Sequence, residues 1–168
     1  ATLGHLNLLR NDGLESALIL SGKKNEAFLK KTVDVTMETV HELADKPSYG
    51  SVSGFADGLI GRYLDGEFDR IDLIYHRFKN ALVQEVCMET WMPLPPSIVS
   101  ADAFSDRQQN SRIIVEPTVA ESAKVLVDKY LHMNLLRVFT DAAASEHGAR
   151  MTAMNKATDS ADDLLNEL

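Results

Sequence analysis

In the first half of the chain, short apolar runs alternate with amphipathic segments, a pattern typical of an α/β layer in which helices cover a sheet. The run at 15–21 is compact and apolar and ends at Gly22, which predicts a buried strand followed by a short helix at 25–31. A weaker run at 33–40 has apolar residues at alternate positions. It predicts a second strand before the turn-prone residues Asp45–Pro47.

The next segments predict a helix and a hairpin. Residues 48–64 place apolar side chains three and four positions apart, as on one face of an amphipathic helix, and Asp65-Gly66 ends that helix. Two alternating polar and apolar runs follow at 70–76 and 81–92. Runs so close together predict an antiparallel hairpin, which we place at the edge of an otherwise parallel sheet.

A long helix is predicted for the end of the chain. The cluster Pro93–Pro96 ends the sheet, and the polar residues of 97–112 predict a surface loop. From Thr118 onward the chain has no proline and a single glycine, Gly148, over about 51 residues. A helix of this length runs on the order of 75 Å, so it must project beyond the domain that precedes it.

The end of that helix carries a heptad stripe. Seven residues follow a 4-3 alternation over three heptads while the charged residues fall mostly outside it, which predicts a coiled-coil seam. The seam consists of His147, Met151, Met154, Thr158, Ala161, Leu165 and Leu168. The segment Ala1–Arg10 is too short to pair with it. The partner helix therefore lies on a second copy, on sequence absent from this chain or on another protein.

Together these patterns predict an α/β fold: a Rossmann-like sheet domain with an antiparallel edge hairpin and a long C-terminal helix that forms half of a coiled coil. We divide the chain into two parts. Residues 1–116 form a central α/β domain that includes a loop at its foot, and residues 117–168 form the coiled-coil helix.

Composition narrows the possible functions. The chain has 168 residues, 45% hydrophobic and 25% charged, with one cysteine and a formal charge of −8. Its acidic balance argues against nucleic acid as a partner, because phosphate binding needs a dense basic surface. No apolar run approaches the roughly 18 residues of a spanning helix. Cys87 is predicted to be a reduced packing residue.

Candidate catalytic and cofactor motifs are weak. The segment Leu20–Asn25 resembles a phosphate loop only superficially, because it lacks the spaced glycines and the Gly-Lys-Ser/Thr end. The five histidines are far apart in sequence, with no close pair to form a metal site. His76 could be a general base, although an edge residue is the simpler interpretation. We therefore expect no catalytic residue, cofactor or metal.

A family resemblance enters at the C-terminal helix. Residues 143–159, AASEHGARMTAMNKATD, followed by ADDLL at 161–165, closely resemble the C-terminal helix of the γ subunit of F-type ATP synthases. The upstream segments that also resemble the γ subunit, in the same order, are Asp45–Tyr49, Tyr63–Asp69, Ile74–Asn80 and Leu94-Pro95. The family's N-terminal helix and C-terminal end have no counterpart here, so we expect a truncated chain.

The resemblance implies a rotor shaft that couples ion-driven ring rotation to conformational change in the catalytic β subunits. The implied partners are the α and β subunits, the ε subunit and the c-subunit ring. The shaft is itself non-catalytic, and the family's N-terminal helix completes its antiparallel coiled coil. The implied location is peripheral on an energy-transducing membrane, and we expect the cytoplasmic face of a bacterial plasma membrane.

The resemblance also assigns residues. Arg150 and Met151 match the family's Arg-Met pair, where the shaft meets acidic loops of the β subunits. Glu116, before Pro117, matches the Glu-Pro at the foot near the c ring. Gly148 replaces a residue that usually favours helix, at a cost of up to about 1 kcal/mol, so we expect a flexible point there.

Two other functions stay open. The first is a small α/β enzyme or nucleotide-binding protein with a helical dimerisation tail, with a ligand site near Ser21-Gly22 and His76. The second is a homodimer that pairs through the exposed seam. Small residues at 141–145 and Gly148 would allow close approach of a neighbouring backbone, or passage of the helix through a narrow sleeve.

Overall fold

The computed structural model describes residues 1–95 and 116–167. It contains five helices and four strands within these ranges. In chain order they are α1 (Thr2–Asn11), β1 (Ala17–Leu20), α2 (Lys23–Thr32), β2 (Thr36–Thr39), α3 (Glu42–Asp45), α4 (Tyr49–Leu64), β3 (Ile71–Phe78), β4 (Gln84–Met92) and α5 (Val119–Glu167). The predicted α/β class with a long C-terminal helix is confirmed. The predicted loop at 97–112 and the seam residue Leu168 lie outside the described residues.

Two elements were not predicted from the sequence. Helix α1 occupies the N-terminal segment, and the short α3 immediately precedes the turn-prone residues. The first strand is shorter and less buried than predicted, since only Leu20 of β1 is fully buried. Gly22 joins β1 to α2 with a φ of 98°, a left-handed conformation that glycine adopts without strain.

The strands form two separate pairs instead of one sheet. β1 and β2 are parallel, with Ala17 opposite Thr36, whereas β3 and β4 form the predicted antiparallel hairpin. The expectation that the hairpin forms the edge of the parallel sheet is therefore wrong for the described strands. A cleft of about 640 Å³ is lined by both β1 and β3, and the two strands do not hydrogen-bond across it. The cleft therefore separates the parallel pair from the hairpin.

Helix α4 begins where a capping box satisfies its first backbone groups. The Ser51 backbone N–H donates to the Ser48 hydroxyl at 3.3 Å, and the Ser48 backbone N–H donates to the Ser51 hydroxyl at 3.3 Å. The helix then buries Val52, Ala56 and Leu59 at spacings of four and three. This face packs on the long helix, where Phe55 of α4 meets Phe139 of α5 edge to face at 6.2 Å.

The core includes residues from both of the ranges into which we divided the chain. Leu131 and Leu135 of α5 join residues of α3, α4 and β4 in one buried cluster. Trp91 of β4 is 2% exposed, and its indole N–H donates to the Leu131 carbonyl at 3.3 Å. The middle of α5 is therefore a core helix, and every described residue after Thr152 is exposed.

Candidate interaction surfaces

The predicted seam lies on the exposed part of α5. All six of its described members are exposed, and Met154 keeps 65% of its accessible surface. Four of them, from Met154 to Leu165, lie beyond Thr152, where the packed region of the helix ends. An apolar stripe in this position has no covering partner within the described parts of the chain.

The same stripe continues toward the start of α5, a feature the sequence analysis missed. Counting back from His147 in steps of three and four reaches exposed apolar positions near the N-terminal end of the helix. They are Val119, Ala123, Leu126, Tyr130 and Met133. The signal was present in the sequence, because the 4-3 spacing is unbroken. It is hard to recognise because Arg137, Thr140 and Ala144 occupy the intervening positions.

The predicted contact residues lie far apart, with Glu116 just before α5 and Arg150 well inside it. Arg150 is exposed and pairs with Glu146 one turn earlier on the same helix. Its other terminal nitrogen lies 3.4 Å from Nδ1 of His147. Glu116 is exposed just before the helix, where its carbonyl accepts a hydrogen bond from the Ser122 hydroxyl at 3.1 Å. The two sites are on the order of 50 Å apart along the helix, so they cannot share one partner surface.

Small residues of α5 pack against the β3–β4 hairpin. Ser145 and Gly148 are buried, and the Ser145 hydroxyl donates to the His76 carbonyl of β3 at 3.0 Å. A Cβ on Gly148 would lie 3.2 Å from the Phe78 ring and 3.4 Å from Cα of Ala81. The expectation that Gly148 marks a flexible point is wrong, because this glycine is packed against the hairpin. The predicted close backbone approach occurs at Ser145 and Gly148.

A charged group fixes the hairpin to the same helix further upstream. Arg137 of α5 donates to the Tyr75 hydroxyl at 2.7 Å and also pairs with Glu89 of β4. Asp141, one turn along the helix, lies 3.5 Å from the same guanidinium. Tyr75 is buried, so this charged network lies at the edge of the core.

One cluster has the composition of a metal site. Asp57 of α4 and Asp128 of α5 flank His132, which is 5% exposed. Nε2 of His132 donates to the Asp57 carboxylate at 2.8 Å, and Nδ1 donates to the Asp128 carbonyl at 2.7 Å. Burial lowers the pKa of His132, but these two acceptors outweigh it and the net pKa is raised. A histidine that donates from both nitrogens is protonated, so the cluster is an ion pair and a poor metal ligand set.

Two further histidines form carboxylate contacts. His5 of α1 lies 3.1 Å from Asp72 of β3, and His41 lies 2.7 Å from Glu26 of α2. Burial raises the pKa of Asp72, yet hydrogen bonds from Arg70, Thr90 and His5 bring it below its usual value. Both contacts connect neighbouring elements of the α/β domain. His76 of β3 is exposed.

The cleft between β1 and β3 is where a small-molecule site would lie. Its walls include Ser21 and His76, the residues predicted to flank such a site, and also Ala1–Leu3 of the N-terminal segment. Most of the surface is apolar, including Leu18 of β1 and Leu73 of β3. Lys23 and Lys24, the basic residues of the superficial phosphate loop, do not line it.

Comparison with known proteins identifies the family. A family model described as ATP synthase matches residues 3–168, almost the whole chain. The chain belongs to the ATP synthase gamma-chain family. Flavobacterium johnsoniae has an ATP synthase gamma chain that is 43% identical over 149 residues, which cover 88% of this chain and 49% of that protein. The Bacteroides fragilis gamma chain is 38% identical over 160 residues, covering 95% and 55% of the two chains.

Solved structures agree with this family in fold. The central stalk and c ring of the Tetrahymena thermophila mitochondrial ATP synthase matches with a TM-score of 0.58 and 22% identity, over 84% of this chain and 60% of that chain. The Euglena gracilis mitochondrial ATP synthase rotor matches with a TM-score of 0.53 and 16% identity, over 96% and 63%. The chain spans about half the length of its gamma-chain relatives.

Proposed function

We propose that this chain is part of the central rotor shaft of an F-type ATP synthase. The observation that carries the proposal is the exposed heptad stripe on α5, which continues past the last contact between this helix and the α/β domain. A helix with an exposed apolar stripe needs a partner that covers the stripe. Two packed helices resist bending and twisting better than one. The gamma-chain relatives supply the family context for a shaft.

The proposed partner of the stripe is a helix from the part of the full-length gamma chain that is absent from this sequence. The relatives are about twice as long as this chain, so they contain enough sequence for such a helix. The exposed stripe runs from Val119 to Met133 and again from Met151 to Leu165, and a partner helix of comparable length would bury both stretches.

The shaft acts without an active site of its own. In this proposal it presents different faces to the catalytic β subunits as it rotates, so that each β subunit is stabilised in a different conformation. Arg150 and Met151 contact the β subunits, and Glu116 contacts the c ring, with the α and ε subunits as further neighbours. Arg150 is exposed and its helix neighbour Glu146 can be exchanged for an acidic loop, since a surface ion pair is worth little.

The proposed location is peripheral on an energy-transducing membrane, at the cytoplasmic face in a bacterium. Across residues 1–95 and 116–167, none of the helices combines the length and apolar character needed to cross a bilayer. In this arrangement attachment to the membrane comes through the c ring at the Glu116 end.

Charge reversal at Arg150 tests the proposal. We expect Arg150→Glu, in a full-length chain assembled into the complete synthase, to lower ATP turnover by about threefold because a charged contact becomes repulsive. The matched control is Lys156→Glu, which makes the same charge change on the exposed tail outside the stripe. Equal turnover in the two variants would remove the case for Arg150 as a contact residue.

The second candidate is a nucleotide-binding module, and the cleft beside Ser21 and His76 is the observation in its favour. Its walls are mostly apolar, and the Arg70 guanidinium that lines it is paired with Asp72 at 2.8 Å, so the cleft provides little for phosphate groups. Equilibrium dialysis of the chain with labelled ATP, NAD and FMN separates the candidates. Saturable micromolar binding that is lost on widening or filling the cleft would favour the module over the shaft.

A further inference from the structure

Four members of the 4-3 series on α5 lie between the apolar residues Met133 and Met151. They are Arg137, Thr140, Ala144 and His147. A helix that packs along the whole stripe must cover these four positions as well as the two apolar stretches. The polar groups at these positions therefore decide which side chains the partner helix needs in its middle.

At three of the four positions the side chain is bonded within the chain or is apolar. Arg137 donates to the Tyr75 hydroxyl at 2.7 Å and pairs with Glu89, so the hairpin already holds its guanidinium. The Thr140 hydroxyl donates at 2.8 Å to the backbone carbonyl four residues earlier. Ala144 has no polar side-chain atom. None of these three positions calls for a particular residue on a partner helix.

His147 differs because one nitrogen of its ring is left open. The residue is exposed, and its Nδ1 lies 3.4 Å from a terminal nitrogen of Arg150, a group that can only donate. Nδ1 is therefore the acceptor in this contact, and the neutral ring has its proton on Nε2. Within residues 1–95 and 116–167 no side chain or carbonyl accepts from that Nε2–H. Water serves it as long as the stripe is uncovered.

A helix packed on the stripe takes this water away. A buried N–H group that finds no acceptor loses a hydrogen bond and gains nothing in return, which makes its burial costly. The cost disappears if the covering helix supplies an oxygen at the same level. The neighbours of His147 in the series make no such demand, because Ala144 on one side and Met151 on the other are satisfied by apolar contact.

We propose that the helix that covers α5 has a hydrogen-bond acceptor opposite His147, a carboxylate or a side-chain amide oxygen, on a face that is apolar toward both ends. The proposal rests on the proposed function, in which this helix comes from the part of the full-length gamma chain that this sequence lacks. The relatives are about twice as long as this chain, so they contain enough sequence for it. The acceptor lies about one turn from the level of Met151 and two heptads from the level of Met133.

A polar contact of this kind makes the pairing of two helices selective. Apolar stretches alone accept a partner in alignments shifted by one heptad, because the repeat looks the same after each shift. The His147 donor meets its acceptor in one alignment and is left unpaired in the shifted ones.

The deciding experiment replaces His147 by Gln and by Met, in the full-length gamma chain and in this shorter chain. Gln and Met have similar helix propensities, but Gln keeps both a donor and an acceptor, whereas Met has no N–H to donate. Urea unfolding gives the unfolding equilibrium constant of each variant. In the full-length chain we expect this constant to be about tenfold larger for His147→Met than for His147→Gln. In the shorter chain, where the position is exposed, the two should agree within about twofold.

Thr158 provides the matched control on the same stripe. It is exposed, and its hydroxyl donates to the Met154 carbonyl at 3.1 Å, so its polar group is already bonded within the helix. A covering helix needs no acceptor at this level. We therefore expect the opposite order in the full-length chain, with an unfolding constant about fivefold larger for Thr158→Gln than for Thr158→Met.

The outcomes separate this proposal from the proposed function. If the Thr158 variants behave as expected but His147→Met is as stable as His147→Gln in the full-length chain, no acceptor faces His147, and the partner helix still stands. If all four variants change the full-length chain no more than the shorter one, no helix covers the stripe, and the proposed function loses the observation that carries it.

Hydrogen exchange provides a second measurement if a variant does not unfold in a single transition. In the full-length chain, amides of residues 144–154 should exchange about tenfold faster in His147→Met than in His147→Gln, because the loss of the contact loosens the helix pair locally. Equal exchange in these two variants would overturn the acceptor opposite His147.

Discussion

His132 is a buried histidine that connects two helices through its charge. It donates to the Asp57 carboxylate of α4 and to the Asp128 carbonyl of its own helix, and the Asp128 carboxylate lies 3.6 Å from the same ring. Both nitrogens are used as donors, so the contact is complete only when the ring carries its proton. Protonation of one side chain therefore contributes to the packing of α4 on α5.

This raised pKa predicts a pH dependence of stability. The folded chain holds the His132 proton more tightly than the unfolded chain does, so the contribution is complete below the unfolded pKa of about 6.5 and is lost as pH rises through the raised folded pKa. We expect the free energy of unfolding, measured with urea, to fall as the pH rises above the unfolded pKa of about 6.5, because this group then loses its contribution. Asp57→Asn should cost about 1 kcal/mol below that pKa and reduce this fall.

The matched control for this prediction is Asp159→Asn, which removes an exposed carboxylate from the projecting end of α5. If the free energy of unfolding falls equally with pH in Asp57→Asn and Asp159→Asn, the His132–Asp57 ion pair has no part in the pH dependence of stability.

Helix α5 consists of two parts that differ in what they contact. Its middle contributes Leu131, Leu135 and Val138 to buried positions, whereas its end is exposed on all sides. The two parts form one continuous helix, so helix formation by itself does not distinguish them. Tertiary packing does, because only the middle faces α4 and the hairpin.

Truncating one leucine in each part measures this difference. Leu135 is 2% exposed and Leu164 is 62% exposed. We expect Leu135→Ala to lower the free energy of unfolding by about 2–5 kcal/mol, through lost burial and a cavity. Leu164→Ala should change it by no more than about 0.5 kcal/mol. Denaturant unfolding followed by the fluorescence of Trp91 provides the measurement, and similar losses for the two variants would contradict the division.

Elements with a local signal were predictable from the sequence, and contacts between elements were not. The spacing of Val52, Ala56 and Leu59 indicated α4, and alternation indicated the hairpin. The separation of the strands into two pairs depends on which edges meet, and periodicity does not contain that information. Gly148 was misjudged for the same reason. In sequence it is a weak helix former, and only the position of the hairpin turn gives it a packing role.

The candidate surfaces follow the same division. The seam was predicted because a heptad repeat depends only on the spacing of residues within one helix. The cluster around His132 was not, since Asp57 is 75 residues away and its approach depends on how α4 crosses α5. Assignments for Arg150, Met151 and Glu116 came from the family resemblance and stay proposals.

The whole molecule has an exposed apolar stripe that the described chain leaves uncovered. If the missing part of a full-length gamma chain supplies the partner helix, Met154→Glu should destabilise the full-length chain by about 1–3 kcal/mol and leave this shorter chain nearly unchanged. Thermal unfolding of both chains tests this, with Asn155→Glu as the control outside the stripe. A dimer of the shorter chain in sedimentation, abolished by Met154→Glu, would show instead that the stripe pairs with itself.

The buried cluster that joins Val52, Trp91 and Leu135 constrains how the protein is made. Val52 and Leu135 are about 80 positions apart, so during translation the α4 face and the tryptophan leave the ribosome well before the helix that covers them. Until about residue 140 has emerged, these side chains are open to water and to chaperones. A nascent chain that stalls within the first turns of α5 would therefore be a substrate for quality control.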